Sequence, residues 1–187
     1  GGLKVNAISG VEMALWEVAG KALGTPVYNL LGGRYGEGIR VYADCHAGHP
    51  ISSLRDYGLE RRESYTPEGY AENARMVRRM GYEMLKFDLY PNISMLASPR
   101  QPYSGHLSNA QVGFLASLVG AAREALGEDA DLAVDFGGYS VPDAIRLANA
   151  LEPYRLAWVE DVVPWNAENV DALAQVTASV KTPTLTG

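Results

Sequence analysis

Apolar positions along the chain follow a helical period first and then a repeating strand and helix pattern. Over residues 9–24 they fall at Val11, Ala14, Leu15, Val18 and Ala22, one face of a helix, with Ser9 and Glu12 at capping-box spacing and Gly24 as the stop signal. After Pro26 a short apolar turn, VYNLLGG, passes into the glycine-rich GGRYGEG, which reads as a linker. From residue 39 short apolar runs alternate with amphipathic stretches: IRVYADC, EMLKFD, DLAVDF, RLAWVED and a terminal TPTLTG. Between the runs the pattern predicts four helices. The first opens at Thr66-Pro67 and carries Tyr70, Ala74, Val77 and Met80. The second opens at Ser108, with Gln111 completing a capping box, and runs through Val112, Leu115, Leu118, Val119 and Ala122 to Gly127. The third opens at Ser140 with Ala144, Ile145, Ala148 and Leu151, and the fourth covers 166–179 with Val170, Leu173 and Val176.

Strands that are nearly all apolar need cover on both faces, which a parallel sheet flanked by helices supplies. The count is about four and a half βα units. Such units close as an eight-stranded barrel of ~250 residues or open as a doubly wound sheet. Neither a Gly-x-Gly-x-x-Gly fingerprint nor a Walker loop follows the first strand. The expected fold class is therefore α/β, a partial (β/α)8 TIM-type barrel. Half a barrel leaves strand edges and apolar helix faces uncovered, so the chain is expected to be an excerpt of a longer protein or to depend on partners, with a homo-oligomer as the expected assembly.

Composition narrows the function classes. With 187 residues, 47% of them hydrophobic, the chain can bury a core. A net charge of −6, and 16 basic residues adjacent only at Arg61-Arg62 and Arg78-Arg79, leave no footprint for nucleic acid. No apolar run is long enough to span a bilayer, and GGLKVNAISG lacks a signal-peptide stretch, so a cytoplasmic protein is expected. Cys45 is the single cysteine, so any metal would be held by oxygen or by the three histidines.

Three apolar runs carry carboxylates at their ends: Asp88, Asp135 and Glu160. In a parallel barrel the ends of consecutive strands converge on one rim, where a divalent cation and its chemistry can sit. Asp135 and Glu160 are 25 residues apart (135 to 160), about one βα step, and a further step of that size runs just past Gly187. Strand alternation places Met84, Lys86 and Asp88 on the inward face, with Leu85 and Phe87 toward the helices. Ala133 and Asp135 point inward in the next run. Leu156, Trp158 and Glu160 do so in the one after, with Asp161 on the opposite parity. A single strand-end carboxylate more often caps a helix or meets solvent; three on one rim favour a site. Residues 46–65 and 89–107 are far longer than ordinary βα loops of ~2–6 residues, and both leave the rim end of a strand. They are candidate substrate loops, with partner contacts as the alternative. His46, His49 and His106 lie in them, where a histidine is more often exposed than catalytic. Trp158 and Phe87 read as core, and Tyr90 and Tyr139 read as structural or as hydrogen-bonding partners of a polar ligand.

The succession VEMALWEVAGKALGTPVYNLLGG, Lys-x-Asp, AVDFGG, WVED with Pro164 and AENVDAL, and PTLTG resembles the enolase superfamily, specifically acid-sugar dehydratases of the mandelate racemase and muconate lactonizing group. The resemblance covers essentially the whole chain. It implies that residues 1–38 are the last helical part of an α+β capping domain with its linker, and that 39–187 are the N-terminal half of the barrel. It further implies that Mg2+ is bound at the ends of the third, fourth and fifth barrel strands. Asp135 then matches the first ligand and Glu160 the second, and the third is a glutamate directly after a glycine in the position of Gly187. Lys86 matches the first lysine of a Lys-x-Lys pair whose second place is taken by Asp88, a variant compatible with the sugar-acid branch. Gly137 stands where that branch carries a histidine proton donor. The His-Asp dyad of the family belongs to the second half of the barrel.

The chemistry explains the metal. Removing a proton beside a carboxylate makes an enediolate with two negative charges, which a divalent cation on that carboxylate renders accessible near neutral pH. The expected activity is Mg2+-dependent dehydration of a sugar acid by the parent protein, with Lys86 and Asp88 as catalytic residues and Asp135 and Glu160 as metal ligands. This chain alone is expected to be inactive. Alternatives are a racemase or epimerase using the same intermediate, or a binding relative that has lost catalysis, for which Gly137 argues.

Overall fold

The computed structural model describes residues 3–45, 66–89, 105–164 and 169–187. His46, His49, Tyr90, the whole of the first long segment and most of the second lie outside the described residues. The chain divides into two compact units, Gly1–Arg40 and Val41–Gly187.

The first unit is helical: α1 (Leu3–Leu23) and the single turn α2 (Val27–Leu30). Helix α1 begins upstream of Ser9, so the Ser9/Glu12 spacing falls inside the helix and is not its cap. Glu12 instead accepts a hydrogen bond from the Trp16 indole one turn on, 3.3 Å. The stop is where the sequence places it, since Gly24 follows Leu23 with φ +64°.

In the second unit the strands are β1 (Ala43–Cys45), β2 (Met84–Asp88), β3 (Asp131–Asp135), β4 (Val159–Glu160) and β5 (Thr184–Leu185). The helices are α3 (Pro67–Arg79), α4 (Asn109–Leu126), α5 (Val141–Leu151) and α6 (Val170–Thr177), with a 3-10 turn over Glu152–Tyr154. The strands lie in the order β1-β2-β3-β4-β5, every neighbouring pair parallel. Monotonic order is that of a barrel; a doubly wound sheet reverses direction at its middle. The sheet also curls. Tyr42 at the start of β1 and Trp158 at the start of β4 meet edge to face with ring centroids 5.7 Å apart, whereas three strand spacings in a flat sheet would hold them about 14 Å apart.

Alternation sorts the strand residues as expected. Leu85, Phe87, Leu132, Val134 and Val159 belong to the core under the helices, together with Tyr70, Leu115, Leu118, Ala144 and Val176. Met84, Lys86, Asp88, Ala133 and Asp135, of opposite parity, are buried on the inward face. Two helix starts carry their predicted side-chain caps. Thr66 Oγ1 accepts from Gly69 N at 3.1 Å, and Ser108 and Gln111 exchange both capping-box bonds, at 2.8 and 3.2 Å. In the second unit two apolar assignments are corrected. Met80 closes α3 and is 67% exposed, and Val170, in the first turn of α6, is 63% exposed. Both sit at helix ends, where the apolar stripe has already left the sheet.

Two buried tyrosines fix the end of β2. Tyr70 Oη donates to Asp88 O (2.8 Å) and Tyr139 Oη to Leu89 O (2.7 Å), so the open choice for Tyr139 resolves toward structure. Tyr70 also stacks on Phe87, centroids 4.9 Å apart. Substituting Tyr70→Phe keeps that packing and removes the donor from a buried carbonyl, so an unfolding free energy lower by about 1–2 kcal/mol is expected in urea titration.

Candidate metal centre

The register aligns the rim. Asp88 pairs with Asp135, Asp135 with Glu160, and Glu160 with Leu185, so three carboxylates occupy one row at the strand C-terminal ends. One residue pair earlier, Asp44, Lys86 and Ala133 form the row below. Lys86 therefore rises from beneath the carboxylates.

Its ammonium contacts carboxylates from three neighbouring strands. Lys86 Nζ lies 3.1 Å from Glu160 Oε1, to which it donates, 3.6 Å from Asp135 Oδ2 and 3.9 Å from Asp44 Oδ2. It also stands 5.6 Å from the centre of the Tyr42 ring. Burial alone would lower its pKa, but the Glu160 hydrogen bond and the charges of Asp44, Glu160 and Asp135 outweigh this and hold it above the ordinary lysine range. Lys86 is thus an ammonium at neutral pH. Sequence reasoning pairs it with Asp88 along one strand; the structure surrounds it with the acids of adjacent strands. Asp88 is buried beside Asp135 and contributes negative charge there.

Asp135 is pushed up to about 6, mainly by burial, with the charges of Asp88 and Glu160 adding to the rise. A hydrogen bond from Gly137 N (2.8 Å) and the charge of Lys86 oppose it. Glu160 is gripped at both oxygens, Oε1 by Lys86 and Oε2 by the Trp158 indole N–H at 3.1 Å. Oxygen atoms of Asp135, Glu160 and Asp161 lie within 4.8 Å of one another, close enough to ligate one cation. Such a set of anionic, hard oxygens fits Mg2+, and the raised pKa of Asp135 shows that its charged form lacks full compensation here.

The structure brings together the predicted Lys86, Asp88, Asp135 and Glu160, and adds residues that the sequence reading passed over. Trp158, read as core, is half-buried and holds Glu160. Its position two residues before Glu160 on the same face was a usable signal. Asp44 carried the same signal as an acid on the inward face. Asp161 joins the cluster against its parity because its φ of +43° turns the chain out of the strand. His106, with its side chain 76% exposed, stands 3.6 Å from Asp143 and outside this cluster.

A pH dependence follows. Because the pKa of Asp135 is raised above its unfolded value of ~4, the folded state holds the proton more tightly between about pH 4 and pH 6. Its contribution to the stability of the metal-free protein therefore falls as pH rises through that window, while cation affinity rises through it. Calorimetric Mg2+ titrations at pH 5 and pH 7.5 are expected to show much weaker binding at the lower pH.

Residues 69–187 match the enolase C-terminal domain-like family, and residues 2–32 match the mandelate racemase / muconate lactonizing enzyme N-terminal domain. The chain belongs to the mandelate racemase/muconate lactonizing enzyme group of the enolase superfamily. It is 36% identical over 189 residues to a D-xylonate dehydratase of Haloferax volcanii, covering 100% of this chain and 41% of that protein. It is 37% identical over 184 residues to a D-galactonate dehydratase family member of Catenulispora acidiphila, covering 97% and 40%. Among solved structures it superposes on a mandelate racemase/muconate lactonizing enzyme-like protein of Rubrobacter xylanophilus with a TM-score of 0.75 at 35% identity, covering 91% of this chain and 42% of that one. The chain thus spans about two fifths of the length of these relatives. No helix among the described residues is long and apolar enough to cross a membrane.

Proposed function

We propose that the protein to which this chain belongs is a Mg2+-dependent lyase that dehydrates a sugar acid. Residues 1–38 would close its capping domain and 39–187 would form the first half of its barrel. The observation that carries the reading is the Asp135–Glu160 pair at adjacent strand ends with the Lys86 ammonium beneath it, in a chain whose relatives include a D-xylonate and a D-gluconate dehydratase. Asp135 and Glu160 would hold the cation, and Asp161 flanks the pair. Bound there, Mg2+ would supply positive charge to the substrate carboxylate as its neighbouring carbon loses a proton.

The chain's own residues then have distinct tasks. Lys86, whose ammonium lies 3.1 Å from Glu160 and 3.6 Å from Asp135, is placed to stabilise negative charge that develops at this rim. Trp158 and Lys86 hold Glu160 in one orientation. Asp88 adds negative charge that the lysine and the cation offset. The α-proton goes to a general base, the hydroxyl on the next carbon leaves with a proton as water, and the enol that results becomes a 2-keto-3-deoxy acid. With Gly137 at the position of the branch's histidine, the proton that accompanies the hydroxyl comes from another residue. A cytoplasmic setting fits a sequence with one cysteine, the buried Cys45.

The test is to incubate the complete protein with a panel of five- and six-carbon aldonic acids in deuterated water, with Mg2+ and with EDTA. Mg2+-dependent formation of a keto-deoxy acid is expected. Deuterium at the α-carbon or an epimer without water loss would instead establish a racemase, and neither product nor exchange would establish a relative that has lost catalysis. Asp88 in place of a second lysine disfavours a two-lysine racemase.

A further inference from the structure

The backbone at Asp161 joins three strand exits. Its N–H donates to Leu185 O at the end of β5 (3.0 Å), and its carbonyl accepts from Gly138 N in the turn after β3 (2.8 Å). Gly138, at φ +94°, packs so tightly against Pro164 that a Cβ there would lie 3.0 Å from the proline nitrogen, so the turn after β3 and the turn after β4 interlock. The side chain completes the junction: Asp161 Oδ1 accepts from Thr186 Oγ1 (2.8 Å) and more weakly from Gly187 N (3.4 Å). An extended residue at this place would aim its side chain at the helices. The left-handed φ of +43° swings it to the rim instead, and aspartate tolerates that conformation because its short polar side chain finds local partners.

We infer that Asp161 is a positioning residue, a latch that ties the exits of β3, β4 and β5 together and sets where the chain leaves β5 relative to the Asp135–Glu160 pair. This rests on reading that pair as a cation site. Without the latch, what holds β5 among the described residues is its backbone pairing with β4, over a two-residue strand, and the Thr177–Thr184 hydroxyl contact at its start (2.7 Å).

Two substitutions separate backbone from side chain. Asp161→Gly keeps the left-handed conformation and removes the acceptor, whereas Asp161→Asn keeps both. Thr186→Val removes the donor from the other side. In the complete protein, D161G and T186V are expected to weaken Mn2+ binding by about 10-fold or more, as losing a partner that orients a metal ligand does, and to speed amide exchange in a peptide spanning residues 180–187. D161N should stay within about 3-fold of the wild type in both measurements. Unchanged exchange and Mn2+ affinity in D161G would overturn the latch. So would a D161N variant with slow exchange whose Mn2+ binding is as weak as that of D161G, since the carboxylate would then be a direct ligand. If the wild type binds no Mn2+ while D161G still loosens the β5 exit, the cation reading fails and the latch stands.

Discussion

Replacing Glu160 by glutamine is expected to lower both Mg2+ affinity and turnover by about 10²-fold or more, the larger end of what a lost ligand or electrostatic group removes. The size of a glutamine is nearly that of a glutamate, so shape is not the cause. Glu160 accepts at both oxygens, from the Lys86 ammonium and from the Trp158 indole, each at 3.1 Å. A glutamine amide has one acceptor and one donor end. Whichever way it turns, its NH2 group faces either Nζ or Nε1, two donors in contact, and one of the three side chains must move. The substitution thus removes a negative charge from the cation site and releases the group that orients it. Glu160→Asp retains charge but draws the oxygens back by one methylene, and should fall between wild type and E160Q. Calorimetry with Mg2+ and steady-state turnover on the accepted sugar acid would check this; an E160Q variant with wild-type affinity would remove Glu160 from the cation site.

Much of this arrangement is legible in the sequence because strand alternation is a strict geometric rule wherever both faces of the sheet are buried. Along β2 and β3 every inward and outward residue is assigned correctly, from Met84 to Asp88 and from Leu132 to Asp135. The rule fails one residue after β4, where Asp161 departs from extended backbone; nothing in the tetrapeptide WVED announces a positive φ. Ser9 fails for a related reason. A Ser-x-x-Glu spacing caps a helix only where the preceding backbone is extended, and LKVNAI upstream is itself helical. Partners that arrive from other strands, such as Asp44 on Lys86, depend on register and curl, which no local pattern encodes. The metal-ligand assignment came from the family resemblance, not from periodicity, which places Asp135 and Glu160 on one face but says nothing of what they bind.

The second large effect concerns Lys86, and it separates folding from catalysis. In Lys86→Met the aliphatic stem is retained and the charge lost, leaving the buried Asp135 and the largely buried Glu160 side chains without their cation. Removing one partner of a buried ion pair destabilises by about 3–5 kcal/mol. Here the amount is expected at the low end, about 3 kcal/mol, because Asp135 with its pKa already near 6 can take up a proton instead. Mg2+ should recover most of that loss, since the ion supplies the missing positive charge to the same two oxygens. Turnover should not recover: the ammonium that offsets charge developing on the substrate is gone, and a fall of about 10²-fold at saturating Mg2+ is expected. Thermal unfolding with and without Mg2+, set beside kcat at saturating metal, distinguishes the two roles. A K86M variant restored by Mg2+ in stability and turnover alike would make Lys86 only a counter-ion to the carboxylates; one restored in stability alone would make it part of the chemistry.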